Sequence, residues 1–63
     1  MQIQELNPTQ LEQVKQRYYI EKQETAGETV SFGDLMQIDE LVSDEEVFDA
    51  YSGTVFTEDD FFS

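Results

Sequence analysis

"VSDEEVFDAYSGTVFTEDDF" spans residues 42–61, and its two readings lead to different folds. Read for charge, it is acidic, lacks any base and is interleaved with aromatics. That is the composition of a segment that stays disordered until it meets a partner. Read for spacing, it holds one pattern twice. In "VSDEEV" (42–47) and "FTEDDF" (56–61) an apolar residue precedes Ser or Thr, an acid follows three positions later, and a second apolar residue closes the motif. Ser43 and Thr57 can then accept hydrogen bonds from first-turn amides, while Glu46 and Asp60 reach back to the cap. The outer pairs Val42/Val47 and Phe56/Phe61 fit hydrophobic staples.

The same pattern returns in "VSFGDL" (30–35) and "LNPTQL" (6–11), with Ser31/Asp34 and Asn7/Gln10 as capping pairs. Val30/Leu35 and Leu6/Leu11 are the corresponding staples. Pro8 falls at the first helical position, where its missing N–H costs nothing. Four such motifs in 63 residues favour order over disorder. The expected fold is mostly α, a small three-helix domain over residues 1–63. Helices are expected at Pro8–Thr25, stopped by Gly27; at Phe32–Leu41, with a first turn weakened by Gly33; and at Asp44–Tyr51, ending at Ser52 and Gly53. A last helical turn fits at 58–62. "MQIQEL" (1–6) alternates weakly and "TVF" (54–56) is β-branched and aromatic, so a short two-stranded pairing of the termini is compatible with this fold, making it α+β.

Helical spacing puts Leu11, Val14 and Tyr18 on one arc of the first helix. Val47, Phe48 and Tyr51 share an arc of the third, with Glu45, Glu46 and Asp49 across from them. The expected core is Leu6, Leu11, Val14, Tyr18, Leu35, Leu41, Val47, Phe48, Tyr51 and Phe56. Ile20 points away from the first arc. It is either an ordinary exposed residue or, with Tyr19, a contact to a second chain. So small a core leaves homodimerisation open.

Charge is the outlying property. Three basic and fifteen acidic residues give a net −12. Lys15, Arg17 and Lys22 balance Glu5, Glu12 and Glu21, so residues 23–63 carry every other acid and no base. Direct binding to nucleic acid or to an anionic membrane is therefore disfavoured, and the expected partner is a basic nucleic-acid-binding protein or ribonucleoprotein. The chain has no cysteine, no long apolar run and no signal-peptide pattern in "MQIQELNPTQ", so cytoplasmic residence is the expectation. Histidine is absent too, and no glycine-rich phosphate loop or calcium-loop spacing is present. Neither an enzyme nor a metal or cofactor site is expected.

Capping explains where Asp34, Asp44, Glu45, Glu46, Glu58, Asp59 and Asp60 sit, since each falls in a first turn that favours negative charge by about 0.3–1 kcal/mol. It does not explain the missing bases, because a solvated surface normally mixes both signs. Twelve charges correspond to roughly 20 Å of duplex DNA, close to the size of the chain itself.

"LVSDEEVFDAYSGTVFTEDDFF" (41–62) resembles the tails of short proteins of bacteriophages and mobile elements. In size and acidity the whole chain resembles small anti-CRISPR and other DNA-mimic inhibitors. That resemblance implies a non-enzymatic inhibitor in a bacterial cytoplasm, covering a basic surface such as that of a CRISPR effector complex. It transfers no residue roles. The residues themselves nominate Asp39, Glu40, Glu45, Glu46, Asp49, Glu58, Asp59 and Asp60 for partner binding, with Phe61 and Phe62 as aromatic contacts. Phe61 is alternatively the buried staple partner of Phe56. Reversing Lys15 and Lys22 is expected to matter much less than removing these acids. The competing reading is an acidic regulatory module, adaptor-like, antitoxin-like or folding on binding, that holds a basic partner without displacing nucleic acid.

Overall fold

Asn7 and Gln10 close the first capping box. In the computed structural model, which describes residues 1–61, Asn7 Oδ1 accepts the Gln10 N–H at 2.8 Å and Gln10 Oε1 accepts the Asn7 N–H at 3.2 Å. Helix α1 runs from there over Pro8–Thr25, as expected. It ends in a Schellman turn. The Glu28 N–H reaches the Gln23 carbonyl at 2.8 Å, the Gly27 N–H reaches that of Glu24 at 3.0 Å, and Gly27 has φ +78°.

The second expected helix is two helices. Ser31 and Asp34 cap α2, Phe32–Met36; after Gln37, at φ −106° and ψ 23°, the chain resumes as α3, Ile38–Leu41. This break changes the helical phase. Ile38 turns fully inward, while Leu41 is 44% exposed and is not the core residue it was expected to be. Helix α4, Asp44–Ala50, begins at Ser43, whose Oγ accepts the Glu46 N–H at 3.2 Å. Two short 3-10 turns complete the chain, at Ile3–Glu5 and at Glu58–Asp60. The second replaces the expected last helical turn and is closed by Thr57 N–H donating to Asp60 Oδ2 at 2.8 Å.

The fold is therefore mostly helical, with four α-helices where three were expected and no strand among the described residues. The suggested pairing of the termini survives as a single rung. The Met1 nitrogen donates to the Phe56 carbonyl at 2.6 Å, and the Phe56 N–H donates to the Met1 carbonyl at 2.7 Å.

Helices α3 and α4 pack across α1. Between them lie Ile3, Val14, Ile38, Val42, Val47 and Phe56, all buried. Each contributes about 1.5–3 kcal/mol of transfer free energy when fully covered. Leu6, Leu11, Tyr18, Phe48 and Tyr51 pack around this centre at partial burial, and Leu35 is half-buried. Ile3 and Ile38 were not expected in the core, and Val42 was expected only as a staple partner of Val47. A row of rings extends the core toward the C-terminal turn. Tyr18 meets Tyr51 edge-on at 6.2 Å, Tyr51 meets Phe56 at 5.7 Å, and Phe56 meets Phe61 at 5.9 Å. Tyr19 also packs on the core, and Ile20 is half-buried in a shallow recess of its own helix with Gln16, Arg17 and Glu21. No described helix is long and apolar enough to cross a membrane.

Candidate acidic docking face

Lys15 shares the inward arc of α1 with Leu11, Val14 and Tyr18, and only 4% of it is exposed. Its stem lies in the core while Nζ reaches out between α3 and α4, 3.2 Å from Asp39 Oδ1 and 2.5 Å from Asp44 Oδ1. Burial alone would pull this ammonium's pKa down. The Asp44 and Asp39 carboxylates outweigh it and hold the pKa above the ordinary lysine value. Lys15 thus has a structural part that the sequence reading did not assign it: it is the ionic pin between α1, α3 and α4.

The other two bases are engaged as well. Lys22 stands 3.8 Å from Glu46 Oε2 and 5.7 Å from the centre of the Tyr18 ring. Arg17 Nη2 donates to the Asp60 carbonyl at 2.6 Å and so ties the C-terminal turn to α1. Each base of the chain thus fastens part of the acidic half to the first helix. Beside them, Tyr51 keeps its proton above the ordinary tyrosine value. Burial is the main cause, Glu21 adds to it, Arg17 opposes it and Tyr18 adds a little.

The nominated acids divide into two groups. Asp39, Glu46 and Asp60 hold the fold, through Lys15, Lys22 and the Thr57 amide respectively. Asp39 keeps 73% of its side chain exposed while doing so, and Glu46 and Asp60 are half-buried. Glu40, Glu45, Asp49, Glu58 and Asp59 are exposed, and none lies within ion-pair distance of a base among the described residues. Glu45, Glu46 and Asp49 come together on a shallow groove whose floor includes Tyr18. Phe61 is half-buried against Phe56, as the staple reading has it, and Phe62 lies outside the described residues.

Asp44 was seen only as a capping residue. It and Lys15 share a second groove with Asp39, Glu12 and the apolar edges of Leu6 and Leu11. The signal for Lys15 was available, because positions 11, 14, 15 and 18 form one continuous helical stripe. No group of three His, Cys, Asp or Glu among the described residues is placed to hold a metal ion. Comparison with protein-family models, curated proteins and solved structures returns no match.

Proposed function

We propose that this chain is a non-enzymatic inhibitor whose acidic surface stands in for nucleic acid on a basic protein or ribonucleoprotein. One observation carries the reading. Each of the three bases has a partner in the acidic half, Lys15 from within the core and Arg17 and Lys22 at the surface, while Glu40, Glu45, Asp49, Glu58 and Asp59 stay exposed and beyond ion-pair distance of any base among the described residues. The outward field is therefore predominantly negative. Net charge −12 along a 30 Å axis is about one charge per 2.5 Å, against about 1.7 Å for duplex DNA. A basic groove meets a comparable density on either. A CRISPR effector complex is the partner that the sequence resemblance implies.

The test is competition. A mimic and nucleic acid exclude one another on the partner; a regulatory module that merely docks there allows a ternary complex. The variant Glu45→Gln/Asp49→Asn/Glu58→Gln/Asp59→Asn avoids every acid that holds the fold. It should keep the helical spectrum and associate with the partner about tenfold more slowly or worse, because charge complementarity acts mainly on encounter. Equal inhibition by parent and variant at moderate salt ends the electrostatic reading.

A further inference from the structure

Helix α2 contributes no buried residue to the core. Its Phe32 is 77% exposed and its Met36 74% exposed, and the two stand one turn apart on the same face. Gln16 Nε2 donates to the Leu35 carbonyl at 3.3 Å, and Leu35 is half-buried, so α2 has a fixed inner side. Phe32 and Met36 are therefore held outward. Isolated exposed apolar residues need no explanation, but a Phe and a Met paired on one ridge form the kind of patch that marks a contact surface.

We infer that Phe32 and Met36 form an apolar docking ridge for a basic amphipathic helix of a protein partner. The chemistry around the ridge selects that occupant. Glu28 and Glu40, both exposed, lie near it in sequence, Asp34 and Asp39 there already serve the Ser31 cap and Lys15, and no base follows Lys22. A second copy of this chain would bring another −12 to the same place, so self-association there is opposed by charge. A helix with an apolar stripe between rows of Lys or Arg matches instead, setting its stripe on the ridge and its bases toward the carboxylates. Met36 suits the task because its unbranched thioether adapts to different apolar surfaces. The inference rests on the partner being basic, and is independent of whether nucleic acid is displaced.

The probe is a synthetic helical peptide of about 18 residues with a leucine stripe flanked by lysines. It is titrated against the full chain by calorimetry and by NMR. Saturable binding is expected, with the largest shift changes at Phe32, Met36 and Glu40. Phe32→Ser/Met36→Gln should weaken binding about tenfold or more while leaving the circular dichroism unchanged. The peptide with glutamine in place of lysine, and a scrambled peptide of the same composition, should each bind at least about tenfold more weakly. The inference is overturned by absence of saturable binding, by equal affinity of the double variant, by equal affinity of the neutral peptide, or by shift changes centred on α4 and the C-terminal turn. It is also overturned if sedimentation shows a dimer of the free chain that the double variant abolishes, since a second copy is then the occupant. The acid-to-amide variant reports separately: lost competition with nucleic acid speaks to mimicry and leaves the ridge untouched.

Discussion

A lysine with its stem in the core and its ammonium between two carboxylates responds to substitution according to what replaces the charge. Lys15→Glu would bury a third carboxylate beside Asp39 and Asp44, at a cost of about 3–5 kcal/mol. That is most of what a domain of this size holds, so urea titration should find the variant largely unfolded. Lys15→Met keeps the stem and leaves two carboxylates that remain mostly in water, so its loss should be about 1 kcal/mol. Equal stability of the Glu variant and the parent would remove Lys15 from the structural account. The same residue sets an alkaline limit. Lys15 and Tyr51 both bind their protons more tightly in the folded chain, from ordinary values of 10.5 and 10.0. Their contribution is complete below those values and is lost as pH rises through the higher folded ones. Thermal melts should therefore be flat in this respect up to about pH 10 and fall above it, less steeply in Lys15→Met. Helical spacing would have set position 15 beside Leu11, Val14 and Tyr18, but its charge kept it out of the expected core.

Helix starts were legible because capping is a local matter. Asn7, Ser31 and Ser43 each accept the N–H three residues on, and Thr57 N–H donates to Asp60. At Ser43 the reciprocal reach is not made, and the Glu46 carboxylate lies 3.8 Å from Lys22 Nζ. Stops at glycine were legible for the same reason. Gly27 and Gly53 both have positive φ, and a methyl group at either would meet open space, so backbone strain alone decides the effect. Gly27→Ala should cost about 1–2 kcal/mol, measured by urea denaturation, with the end of α1 fraying first in hydrogen exchange. An unchanged midpoint would mean that the Schellman turn contributes little. The break at Gln37 was not legible: neither glycine nor proline marks it, and it coincides with the turn of Ile38 fully into the core. The turn at Ile3–Glu5 was missed because glutamine is a weak capping residue, although Gln2 N–H does donate to Glu5 Oε2 at 2.8 Å. Among the candidate site residues, helical phase correctly turned Glu45 and Asp49 to solvent. The pairing of Asp39 with Lys15 spans 24 positions and leaves no local trace.

At the scale of the molecule, twelve uncompensated charges oppose the fold that the three bases hold together. Screening relieves the repulsion across the whole surface and weakens only a few contacts, among them the Lys15 pin, whose two carboxylates are largely exposed. The thermal midpoint should therefore rise when salt goes from about 0.01 to 0.15 M, while binding to a basic partner weakens over the same range. A falling midpoint would show that ion pairs outweigh repulsion. The rung between Met1 and Phe56 has a kinetic counterpart. Closing a loop of 55 positions is entropically costly until the intervening helices have drawn its ends together, so the rung and the Ile3 turn beside it belong to the last stage of folding. Ile3→Val should then accelerate unfolding by nearly the whole of its effect, about 0.5–1.5 kcal/mol, and leave the refolding rate almost unchanged. A chevron whose refolding arm moves instead would place this end of the chain in the nucleus. With the rung forming late, the lifetime of the folded state is governed at the seam where the chain's first residue meets its fifty-sixth.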